Sequence, residues 1–168
     1  MTRQKLLNIY LNDHLAGSVA GQELAKRCLA NNPGTELGTF LTSFLHEVNE
    51  DRSTLEEVID AVGGQPDRLK TRVGWLSEKV GRLKLNGQWR GYSDLSRLVE
   101  IESLCIGVEG KRSLWAALKS VAEHDPRLQS YDFAALESRA RRQRDELEGH
   151  RKAAADIAFS GRDIPAGR

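Results

Sequence analysis

The chain has 168 residues, long enough to bury a substantial core without disulfides or a structural metal, and one domain is the default at that size. Its 25 lysines and arginines nearly cancel its 24 aspartates and glutamates, so no global field draws it to nucleic acid or to an anionic membrane. Two cysteines, Cys28 and Cys105, fall in different predicted helices and point to buried free thiols in a reducing cytoplasm, and no apolar run approaches the ~18 residues of a membrane span.

Helical periodicity starts near the N-terminus. The first segment, 4–30, repeats Leu6, Ile9, Tyr10, Asp13, Gly17, Ala20 and Leu24 at spacings of mostly three or four, and stops at Asn31-Asn32-Pro33-Gly34. A second, 33–62, is expected to take Asn32 as its cap and Pro33 as its first helical residue. Its stripe is Leu37, Leu41, Phe44, Val48, Leu55, Ile59 and Val62, and Gly63-Gly64 closes it. The third, 66–85, carries a narrow seam of Leu69, Val73, Leu76, Val80 and Leu83. Ser93 is the expected cap of the fourth, 93–124, where Leu95, Leu98, Val99, Cys105 and Ile106 are joined by Ile101, Leu104, Val108 and Trp115 in a wide apolar face. The fifth, 132–158, repeats Phe133, Leu136, Ala140, Leu147, Ala154 and Ala158. Residues 1–159 thus form the expected helical-bundle domain, and 160–168 a flexible tail.

Four long stripes must bury against one another, which predicts an all-α four-helix bundle made of two hairpins. At ~1.5 Å per residue the third helix spans nearly 30 Å, enough to carry the chain back along the bundle. The second and fourth helices are therefore expected to be parallel, with an additional amphipathic helix in the long crossover between them. This topology resembles the ferritin-like superfamily. The segments LNIYLNDHLAG, EKVGRLKLNG and LSRLVEIESLCIGVEGK are similar to those of bacterial helical-bundle proteins of that superfamily.

The resemblance implies a di-metal site, with a glutamate on each of two helices and a Glu-x-x-His pair on each of the others. Neither pair is present. Glu47 is followed three positions later by Glu50, and Leu147 stands three before His150. Advancing ~100° per residue puts Asp51 and Arg52 inside the second stripe, Glu47 on its margin, and His46 and Glu50 toward solvent. The same rotation turns Asp13 inward on the first helix, Glu102 and Glu109 on the fourth, and Arg144 and Arg151 on the fifth. Counting residues from the turns puts Asp13, Asp51, Arg52, Glu109 and Arg144 at one mid-bundle level, with His150 and Arg151 close by.

Two functional readings follow. In the first, Asp13, Asp51, Arg52, Glu109, Arg144 and Arg151 form a buried ion network in a structural or interaction protein with no cofactor; the inward arginines favour it, because guanidinium groups cannot ligate metal. In the second, Asp13, Asp51, Glu102, Glu109 and His150 keep an altered metal site whose hard oxygens suit iron or manganese, for metal binding or oxidoreduction. The outward members of the run RARRQR at 139–144 read as a solvated face, so no nucleic-acid partner is expected. Trp89 beside Arg90 marks an expected interaction surface for a protein partner. Leu7, Leu11 and Leu15 form a second apolar line on the first helix, to be covered by the third helix or by another copy in a homo-oligomer.

Overall fold

The computed structural model describes residues 1–66 and 92–160, and every regular element among them is helical. The elements are α1 (Arg3–Ala30), α2 (Glu36–Ala61), α3 (Asp94–Ala122), a short 3-10 turn (Pro126–Leu128) and α4 (Phe133–Ser160). Residues 67–85 of the expected crossover helix, the Trp89-Arg90 pair and residues 161–168 of the expected tail lie outside the described residues.

Helix ends follow local chemistry. Ser93 caps α3 as its position predicts, its Oγ accepting the Ser96 N–H at 3.1 Å. The cap of α2 is Thr35, three residues later than expected, with Oγ1 accepting the Gly38 N–H at 3.0 Å. Gly34 is the reason: at φ +70 it sits in the left-handed region, so the helix cannot begin before it. Gly63, at φ +73, ends α2, and the Gly64 N–H returns to the Ile59 carbonyl at 2.8 Å.

α1 packs on α2 and α3, α3 packs on α4, and α2 approaches α4. Bonds at the two ends set the directions. At one end Asn32, after α1, bonds Tyr92 and Arg97 at the start of α3. At the other, the Val62 carbonyl after α2 accepts from Gln4 at 2.6 Å and from Arg127, between α3 and α4, at 3.1 Å. α2 and α3 therefore run parallel, and α1 and α4 run against them.

The stripe of α2 is buried as its periodicity predicts, with Leu41, Phe44, Leu55 and Ile59 in the core. α1 is rotated from the expected face. Leu11 and Leu15 are core residues, whereas Leu6 is 50 % exposed and Ile9, Tyr10 and Asp13 also face outward. Polar residues hid this face: Asn12 and Gln22 are buried along it, and each finds partners there. α3 is turned as well, leaving Ile106 62 % exposed, because its apolar residues wrap so much of the helix that periodicity alone does not centre the stripe. Leu98, Ile101, Leu104, Cys105, Val108 and Trp115 form its buried side.

Candidate functional site: an ion network beside an apolar cavity

Asp51 comes from the middle of α2 and is 2 % exposed. Its two carboxylate oxygens are held by cations from two other helices. Lys111 of α3 donates to Oδ2 at 2.5 Å, and Arg139 of α4 donates to Oδ1 at 2.5 Å. Lys111 also donates to Gln143 Oε1 at 2.5 Å, and Arg139 to Glu50 at 2.7 Å. Gln143, fully buried, passes its amide N–H to Glu47 at 2.6 Å, where Arg142 donates to the other oxygen at 2.5 Å. Long side chains thus bridge α2 to α4. Burial pushes the Lys111 ammonium pKa down against the pull of Asp51. Burial also pushes the Glu47 carboxyl up, but the bonds from Gln143 and Arg142 more than offset this and hold it below the ordinary value.

Of the expected mid-bundle layer, Asp51 lies at the centre of a network, but with other partners. Arg52 turns to Glu56 on its own helix and to Gln22 Oε1, both at 3.0 Å, so Gln22 rather than Asp13 meets this level of α2. Asp13 is exposed because α1 presents the Leu11–Leu15 side to the core. Glu109 is likewise exposed and pairs with Arg112 at 2.6 Å, a consequence of the rotation of α3. Arg144 and Arg151 both pair with Glu148, at 3.3 and 2.8 Å, and Arg151 stands 3.7 Å from Glu102. These two arginines hold the Glu148 carboxyl down at about 2. His150 packs on Phe40, ring centroids 4.9 Å apart.

The residues proposed as metal ligands are therefore dispersed. Among the described residues no three His, Cys, Asp or Glu side chains gather where they could hold a metal ion. The donor set does not fit the di-metal centre that the resemblance implies. Lys111, Arg139 and Arg142 are the cations of this network that reading along the sequence missed. Lys111 was detectable, since it falls in register with Val108 and Trp115 on the buried side of α3. Arg139 and Arg142 lie in the RARRQR run, where they counted among the outward members of a solvated face while only Ala140 and Arg144 were placed in the stripe.

A second buried cluster joins the α1–α2 turn to α3. Glu100 is fully buried; Tyr92 donates to its Oε2 at 2.8 Å, and the Arg27 guanidinium lies 2.8 Å from Oε1. The Arg27 contact is Coulombic without an aligned hydrogen bond, since Oε1 accepts none. Asn32 donates to the Tyr92 hydroxyl at 3.1 Å and accepts from Arg97 at 2.7 Å. Burial raises the Glu100 carboxyl and, with the nearby Glu100 charge, pushes the Cys28 thiol up to about 12. An inert structural thiol is what that environment produces.

Beside Asp51, a cavity of 310 Å³ opens between α1, α2 and α3. Phe44, Val48 and Leu55 of α2 and Leu104, Val108 and Trp115 of α3 make it largely apolar, and Asp51 and Lys111 reach its wall. Four helical glycines line it, Gly17 and Gly21 from α1 and Gly107 and Gly110 from α3. A Cβ at any of them would meet nothing within 4 Å. Each such glycine costs its helix about 1 kcal/mol relative to alanine, and close packing among the described residues does not account for them. Trp115 is 1 % exposed, stacks on Phe133 at 6.1 Å, and its indole N–H has no hydrogen-bond partner among the described residues. Comparison of the chain with protein-family models, with curated proteins and with solved structures found no match.

Proposed function

We propose that this chain is a ferritin-like bundle in which an ion network occupies the place of a metal centre, and that it works as a structural or interaction protein rather than as a catalyst. In this reading the segment 66–85 is the additional amphipathic helix of the crossover. One observation carries it: Asp51, 2 % exposed, has each oxygen held by a different cation. To ligate a metal it would have to release at least one of them into a buried site without a counter-charge. The same carboxylate ties α2 to α3 and α4 at once, which sets the register of three helices.

Leu6, Ile9 and Tyr10 on α1 and Ile106 on α3 supply exposed apolar surface for a homo-oligomer or another protein partner. Trp89 and Arg90 are proposed as a further contact point. Elemental analysis of protein purified without chelator tests the central reading. Well under one equivalent of iron or manganese per chain is expected, with a thermal midpoint that neither iron(II) nor chelator moves. A stoichiometric metal that raises the midpoint would overturn it in favour of a carboxylate-bound iron or manganese protein.

A further inference from the structure

We propose that the apolar cleft between α1 and α3 is the docking seat of the chain's own segment 66–85, lying alongside α1 with its seam turned into the cleft. This seat rests on the reading of 66–85 as the crossover helix. The described residues on either side of the segment both touch α1. Before it, the Gln65 carbonyl accepts from Asn12 at 3.3 Å. After it, the Tyr92 hydroxyl accepts from Asn32 at 3.1 Å and lies 3.8 Å from Cys28 Sγ. The chain therefore departs at the level of Asn12 and returns at the level of Cys28, sixteen residues and ~24 Å further along α1. A helix over 66–85 covers ~30 Å, which spans that distance and leaves 86–91 for the turn into Tyr92.

The cleft lies between those two levels. Gly17 and Gly21 belong to its α1 wall, and Gly107 and Gly110, with Ile106 left 62 % exposed, to its α3 wall. Arg27 beside Glu100 sets the register of these antiparallel helices, and stepping away from that contact brings Gly21 opposite Gly107 and Gly17 opposite Gly110. Stepping from Gln65 at Asn12 in the same direction brings Leu69 to the first glycine level it meets and Val73 to the second. Leu69, Val73, Leu76, Val80 and Leu83 recur at spacings of four and three, so one helical face carries them all. Seating that face removes apolar surface from water on both sides. Charge agrees, since Asp13 stands at the α1 wall and 66–85 holds six lysines and arginines against two acids. The cleft encloses 310 Å³, room for seam side chains and for a methyl added at Gly17 beside them.

Two cysteine pairs test the seat, Leu69→Cys with Gly110→Cys and Val73→Cys with Gly107→Cys. A Cβ at either glycine meets nothing within 4 Å, so cysteine fits both places. Mild oxidation is expected to give an intrachain disulfide in each pair, mapped by mass spectrometry of the linked peptides. Val73→Cys with Glu146→Cys, on the exposed side of α4, should give none. Single cysteines supply a second readout, against the slow background of buried Cys28 and Cys105. Leu69→Cys and Val73→Cys should react with a maleimide at least tenfold more slowly than Thr71→Cys and Glu78→Cys on the opposite face. Gly107→Trp, which fills the cleft, should bring the two sets of rates together. Disulfides that join two chains would overturn the proposal by putting a second copy in the cleft. Slow labelling of the seam with neither intrachain link would also overturn it, leaving a helix seated on another face. Equal, fast labelling at all four positions would overturn it together with the crossover helix. Metal content enters none of these readouts, so failure here and failure of the ion-network reading are distinguishable.

Discussion

Asp51 gathers onto one side chain interactions that the sequence suggested were spread over six. Asp51→Ala leaves Lys111 and Arg139, whose side chains are 16 % and 24 % exposed, without their shared counter-charge. A loss of about 3 kcal/mol is expected, the lower end of the range for breaking a buried pair, since Arg139 keeps some contact with water. Glu109→Ala, by contrast, removes an exposed partner of Arg112 and should change stability by no more than ~0.5 kcal/mol. Urea midpoints of the two variants measured side by side check both values. Glu47 adds a pH dependence. Its folded pKa is depressed from 4.5, so between these values the unfolded chain binds more protons than the native one, and stability falls as the pH drops through that window. Glu47→Gln should flatten the fall in urea midpoint below about pH 4.5. Glu100 acts in the opposite sense: its raised carboxyl makes its contribution less favourable as the pH rises above 4.5.

Among the helices, glycine has two meanings that substitution separates. Gly38 lies in the first turn of α2, where the chain has just come through the Thr35 cap, and the Asn32 carbonyl passes so close that a Cβ would sit 2.2 Å from its oxygen. Gly38→Ala is expected to lose roughly 1–3 kcal/mol, because the atom in the way is backbone and cannot swing aside. Gly17→Ala meets nothing within 4 Å and should gain up to about 1 kcal/mol from helix propensity. Thermal midpoints moving in opposite directions would establish the contrast. α1 also shows how a helix with amides on its buried side escapes periodicity. Gln22 donates to Asn49 and accepts from Arg52, while Asn12 donates to the carbonyls of Asn8 and Gln65 at 2.9 and 3.3 Å. Such residues count as polar in any hydropathy pattern, yet Gln22 finds its partners on α2, and Asn12 finds its own on α1 and just beyond the end of α2.

For the molecule as a whole, the two stitched ends and the central network couple all four helices. Cys28 and Cys105 report on that coupling, being 0 % and 4 % exposed, with thiols that burial makes harder to ionise. Labelling by an aromatic disulfide reagent at pH 8 is expected to proceed only as fast as global opening, and Asp51→Ala should accelerate it at both cysteines together. Rapid labelling of either thiol in the native protein would show that its end of the bundle opens independently. No described helix is long and apolar enough to cross a membrane.

The sequence by itself determined the number of long described helices, most of their limits, the buried face of α2 and the inward position of Asp51. Each of these rests on information within one segment: proline and glycine mark the ends, and a sharp contrast between apolar and polar residues orients the face. Tertiary structure decided the rotations of α1 and α3 and the identity of the counter-charges. A buried amide such as Gln22 is tolerated only where another helix brings it a partner, and that partner is invisible in its own segment. Lysine and arginine have flexible stems, so whether Lys111 or Arg139 points to solvent or to Asp51 depends on where α2 stands, not on the residues beside them.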